Sequence, residues 1–198
     1  MNKPQGYDEA RTSGEFTPAA PGGHYAVIKQ VSERESSTGK SMIVVLFDFC
    51  KPDAQADYFA GLFSSDNRED KKWPFAGTKY IMVQDYEDPT KTSRNFKTFC
   101  TCFEESNNCQ VQWGGGSWAN QFKNKKIGVV FGEEENEYDG KTFMRSVPKW
   151  FCQWAKVADA KIPPVKYLPG HSVEQSTPKT DTAGFMQLPE GMDDEIPF

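Results

Sequence analysis

Apolar and polar residues alternate with period two over residues 24–32. Tyr25, Val27, Lys29 and Val31 fall on one face, and Ala26, Ile28 and Gln30 on the other, so the spacing predicts a strand. Ser36-Ser37-Thr38-Gly39 reads as a turn, and residues 42–49 form a β-run apolar on both faces, the mark of a central strand. The two together predict a hairpin. Beyond Pro52, the spacing of Tyr58, Phe59, Leu62 and Phe63 predicts a short helix over 54–63. A third strand is predicted over 78–85. Thr92 or Ser93 can N-cap a second helix, whose Phe96, Phe99, Cys100 and Phe103 form an i, i+3, i+4, i+7 stripe ending near Asn107. Strands over 126–133 and 141–147 flank Asp139-Gly140, a strong hairpin turn. Pro148 ends or edges the second of these, and residues 150–156 could add a last short strand.

The order strand, strand, strand, helix, strand, strand predicts a mainly β chain with minor α. It matches an OB-fold, a five-stranded Greek-key barrel with a helix between strands 3 and 4. A β-sandwich with two added helices would also fit. Residues 1–23 read as a loose arm and 24–165 as the folded domain. Residues 166–198 are rich in Pro, Gly, Ser and Thr and too poor in apolar side chains to offset the entropy of folding, so a disordered tail is expected.

Charge sharpens this division. The net charge of −5 argues at first against a nucleic-acid partner. Residues 1–165, however, hold 21 basic and 22 acidic side chains, whereas residues 166–198 hold 2 and 6. Most of the acidity belongs to the tail, and a near-neutral body can still carry a basic stripe. Aromatic residues make up 14% of the chain, with 15 Phe, 7 Tyr and 5 Trp, more than a small core needs. Surplus rings on a surface can stack bases, although a Phe-heavy core would also absorb them. The first residues have no apolar leader pattern and no apolar run reaches the length of a membrane span, so a cytoplasmic protein is expected.

The chain closes on Met192-Asp193-Asp194-Glu195-Ile196-Pro197-Phe198. Three carboxylates lead into an apolar tripeptide, and Phe198 joins a ring to an α-carboxylate. Such a tip suits a small apolar pocket with Arg or Lys at its mouth. An acidic tail that serves only solubility is the plainer alternative. The tip resembles that of bacterial single-stranded DNA-binding proteins, with Glu195 where an Asp is usual. The body more loosely resembles the divergent single-stranded DNA-binding proteins of bacteriophages. The segments that carry this are Ser37-Thr38-Gly39-Lys40, Lys72-Trp73-Pro74-Phe75 and Thr92-Ser93-Arg94-Asn95-Phe96-Lys97.

The resemblance implies sequence-nonspecific binding of single-stranded DNA in replication, recombination and repair. It also implies recruitment of host or phage DNA-processing enzymes through Asp193, Asp194, Glu195, Ile196, Pro197 and Phe198. It implies no enzymatic activity, no cofactor and no membrane partner, and it allows a homo-oligomer. By analogy with OB-folds, Lys29, Arg34, Lys40, Tyr138, Phe143 and Arg145 are the expected DNA contacts. Lys126 enters the fourth strand beside Lys123 and Lys125 and joins them. Trp113 and Trp118, on either side of Gly114-Gly115-Gly116, could clamp bases or cover a barrel end. Arg94 and Lys97 read as a solvated helix face. The run Glu133-Glu134-Glu135 with Glu137 is an awkward neighbour for DNA. Cys100, Cys102 and Cys109 lack the paired spacing of a zinc site, so no metal is expected. No Walker loop, Gly-x-Gly-x-x-Gly or Gly-x-Ser-x-Gly motif is present. A protein-interaction adaptor without DNA binding is the alternative, followed by a nuclease using Glu133, Glu135 and Lys126.

Overall fold

The computed structural model describes residues 3, 4, 7, 17–115 and 118–171. The chain divides into two units, Met1–Lys166 and Tyr167–Phe198. Of the second unit, only 167–171 are described, where His171 N donates to the Leu168 carbonyl in a turn. The expected partner-binding tip, 193–198, lies outside the described residues.

The first unit is built on one antiparallel sheet of five strands: β1 (Gly22–Glu35), β2 (Ser41–Phe49), β3 (Thr78–Met82), β4 (Lys126–Tyr138) and β5 (Lys141–Cys152). Their order across the sheet is β3-β2-β1-β4-β5. Helix α1 (Tyr58–Ser65) follows β2, and helix α2 (Arg94–Asn107) lies in sequence between β3 and β4. Backbone pairing does not join β3 to β5, so the ladder is open rather than closed into the expected barrel circuit. Pro148 has no N–H to give. Instead, Lys79 Nζ on β3 donates to the Pro148 carbonyl on β5 at 2.7 Å.

The expected faces of β1 hold only for its first half. The β1–β2 register slips between Ile28 and Gln30. Lys29 is the extra residue of a bulge, so Val31 joins Ala26 and Ile28 inside, against Val45, Phe47 and Phe49. At the far hairpin, Asp139 (φ 51°) and Gly140 (φ 72°) both take the left-handed conformation that a two-residue turn demands. β5 does not stop at Pro148. A register shift opposite Val130 and Phe131 absorbs Lys149, and the strand runs on to Cys152. Residues 154–156 form a 3-10 turn rather than a last strand.

α1 begins later than expected. Asp57 sits at φ 61°, and the buried Asp48 of β2 accepts from Phe59 N (2.8 Å) and Ala60 N (3.2 Å). A strand residue thus caps the helix through space. α2 matches its sequence. Ser93 Oγ accepts from Phe96 N at 3.1 Å, and Phe96, Phe99, Cys100 and Phe103 are all buried. The Phe99 and Phe103 rings pack on Phe122, and Phe99 also on Phe151. Phe47, Phe49, Phe59 and Phe131 continue the interior, with His24 stacked on Phe49 at 4.1 Å. Among the described residues most Phe are therefore core, and the exposed rings are chiefly Tyr and Trp.

Candidate nucleic-acid interface

The face of β1–β2–β3 turned away from the core is set by register. Ile43, Val45 and Ile81 point inward, so their neighbours point out. The outward rows run Arg34–Met42–Met82 and Ser32–Val44–Tyr80. Val44 is buried in this face, while Tyr80 at the sheet edge is 52% exposed. Phe75, in a 3-10 turn just before β3, is also 52% exposed. Its ring centroid lies 6.4 Å from that of Tyr80, at 35°.

The second hairpin reaches this patch through Arg145. Its guanidinium carbon stands 4.1 Å from the Phe75 ring centroid, a cation–π contact between β5 and the start of β3. Period two places Phe143 and Lys141 on the same side of β5 as Arg145, opposite Asn136 and Tyr138. Phe143 and Tyr138 are exposed. Burial pulls the Arg145 guanidinium below its ordinary pKa, with Glu134 opposing the shift. Arg145 makes no ion pair among the described residues, although Glu134 is directly across the ladder.

That pairing explains the acidic run. The Glu134 carboxylate is taken by Lys149 at 2.7 Å, which holds it below the usual carboxylate range against a smaller opposing effect of burial. Glu135 is buried, and its N–H bonds the Lys166 carbonyl at 2.8 Å. Two of the run's carboxylates are therefore withdrawn from the patch, while Glu137 stays exposed.

At the other hairpin, Lys40 lies 4.7 Å from the Tyr86 ring centroid and donates to the Tyr86 carbonyl. Tyr86 is 87% exposed, and Val83 N bonds Ser41 O, so the loop after β3 lies against the β1–β2 turn. Arg34, exposed on β1, stands beside this end of the face.

The remaining expected contacts lie elsewhere. Lys29, in the bulge, faces Asp48 at 3.7 Å and balances the buried carboxylate, which burial raises above its ordinary pKa. Lys126 sits over Trp154 at 5.1 Å, on the part of β4 paired with Val27. Trp118 stacks on Phe96 and meets Phe122 edge-on at 4.8 Å, covering the end of the core beside α2. Trp113 stacks on Trp118 at 6.0 Å and remains 65% exposed. Arg94 and Lys97 line a shallow polar depression with Asp85 and Gln153.

Phe75, Tyr80 and Tyr86 are members of the patch that sequence reasoning missed. Tyr80 alone carried a signal, as a polar-tipped ring next to inward Ile81. Phe75 and Tyr86 sit in loops, where no periodicity marks exposure.

Among the described residues no group of three His, Cys, Asp or Glu side chains could hold a metal ion. Burial raises the Cys100, Cys102 and Cys152 thiols to about 11, 12 and 11, so they are unreactive as nucleophiles. No described helix is long and apolar enough to cross a membrane. No protein-family model matches the chain, and no curated protein matches its sequence.

Proposed function

We propose that this chain binds single-stranded DNA with little sequence preference, on the outer face of β1–β2–β3 between the two hairpins. The observation that carries the reading is the meeting, on one face, of exposed rings and cations that make no ion pair among the described residues. Tyr80 and Phe75 adjoin Arg145 of one hairpin, which carries Phe143 and Tyr138 on the same side further along, and Arg34, Lys40 and Tyr86 stand beside the other hairpin. Rings that take bases and cations that follow phosphates are the two requirements of single-strand binding. The strand order supports it. The sheet order β3-β2-β1-β4-β5, with α2 between β3 and β4 in sequence and Lys79 linking the β3 and β5 edges, supports reading this open sheet as a partly open OB-fold barrel. In such barrels the strand 2–3 face and its flanking loops take oligonucleotides.

The tip adds a second role on sequence grounds. Its carboxylates and Phe198 fit a basic-rimmed apolar pocket on a DNA-processing enzyme. The chain is then a carrier that coats unpaired strands and brings enzymes to them, making and breaking no bond.

An electrophoretic mobility shift with single- and double-stranded oligonucleotides of equal length tests the proposal. Retention of the single strand at concentrations that leave the duplex free is expected. Equal retention of both, or of neither, overturns it.

A further inference from the structure

We infer that, on this surface, Arg145 is the backbone-phosphate contact, Tyr80 is the base platform, and Phe75 is the seat that fixes the guanidinium. The inference rests on the single-strand reading above and assigns its chemistry to particular atoms.

The first step is the state of Arg145. Its side chain is half-buried, yet no carboxylate pairs with it among the described residues. The carboxylate placed to do so, Glu134, is held by Lys149 instead. A partly desolvated cation whose facing carboxylate is bonded to another amine is costly, and an incoming anion relieves that cost. A planar guanidinium also matches two phosphate oxygens at once.

The second step is the ring beneath it. With the guanidinium carbon 4.1 Å from its centroid, that face of Phe75 is covered. Phe75 therefore orients Arg145 and leaves stacking on that face to its neighbour. Tyr80 is the next ring along, 6.4 Å away, and its strand is fixed by pairing with Val44 of β2. Phosphate contact and base platform lie one ring apart, an arrangement suited to successive parts of one strand. Duplex bases, already stacked and paired, offer no free face to Tyr80.

Salt titration of oligo-dT binding by the full chain tests this assignment. Arg145→Met should flatten the slope of log affinity against log salt by about 0.7, the loss of one phosphate contact on a single strand. Arg145→Lys should keep the slope. Phe75→Leu should shift it in the same direction as Arg145→Met and add nothing in the Arg145→Met background, the mark of a residue acting through another. Tyr80→Leu should lower affinity about 5- to 150-fold at every salt concentration with the slope unchanged. All three positions are at least partly exposed, and unchanged melting checks each fold. If the parent chain binds oligo-dT and Arg145→Met keeps its slope, or Phe75 and Arg145 act independently, this assignment is overturned while single-strand binding stands. If the parent chain does not bind oligo-dT at all, the single-strand reading itself is lost.

Discussion

Lys79 Nζ on β3 donates to the Pro148 carbonyl on β5 at 2.7 Å, spanning the two edges of the sheet where no ladder joins them. Lys79 pairs with inward Val45, so its stem runs beside the core before the amine reaches the seam. Replacing it with Ala removes this bond and leaves the buried Pro148 carbonyl without its donor, an expected loss of about 1 kcal/mol at neutral pH. Burial lowers the Lys79 pKa. As pH rises through the folded value, the native chain sheds a proton that the unfolded chain keeps up to the ordinary lysine value. Stability therefore climbs with pH across that window. The deficit of Lys79→Ala should widen in alkaline buffer, as read from urea midpoints. A constant deficit would place the amine in solvent.

Asp48 and Lys29 make a second prediction, which separates fold from function. The buried Asp48 carboxylate receives the Phe59 and Ala60 N–H groups, with Lys29 as its one ion-pair partner among the described residues. Asp48→Ala should cost about 2–4 kcal/mol, because a charged acceptor and a helix cap are lost together. Lys29→Met should lower stability while leaving the salt slope of oligonucleotide binding as it was. Arg34→Met, on the outward face, should do the reverse. Denaturant melts and salt titrations of both variants decide it.

What could be read in the sequence was what depends on near neighbours. The Phe96-to-Phe103 stripe and the Asp139-Gly140 turn are local geometry, and each stands where its spacing put it, while of the two caps the sequence offers, Thr92 and Ser93, the helix uses Ser93. Contacts made across the fold could not be read. Asp48 caps a helix from another element, and Arg145 meets Phe75 from 70 positions away. The bulge at Lys29 shows the limit within a single strand. Alternation placed Val31 with Lys29, and one inserted residue moved it to the core face. Lys29 read as a DNA contact for the same reason, since its balancing carboxylate lies on another strand.

The Glu134–Lys149 bond carries a pH signature of opposite sign. Lys149 holds the Glu134 carboxyl below its ordinary value. Its stabilising effect is therefore complete above the unfolded pKa and is lost as pH falls through the folded one. Both side chains are partly exposed, so Glu134→Gln should cost no more than about 1 kcal/mol at pH 7. The difference from the parent should vanish once both states are protonated. The same variant frees Lys149 next to the patch, so single-strand affinity should rise. A fall in affinity would mean that Glu134 positions Arg145.

Removing residues 193–198 tests the division of labour. Those six residues hold three of the tail's six acidic side chains together with its terminal ring. If the body alone grips the strand, truncation removes repulsion from a polyanion and no contact. Affinity for oligo-dT should stay equal or rise, most clearly at low salt, where charge is least screened. Capture of DNA-processing enzymes on immobilised chain should disappear. Phe198→Ala should abolish capture while leaving all three acidic side chains, and so should leave DNA affinity unchanged. The ring and the carboxylates then have separable jobs: one fills a partner's pocket, the others set its charge match and weaken the chain's own hold on DNA. A large loss of oligo-dT affinity on truncation would instead place the strand's contacts in the tip and remove the case for the outer face of the sheet.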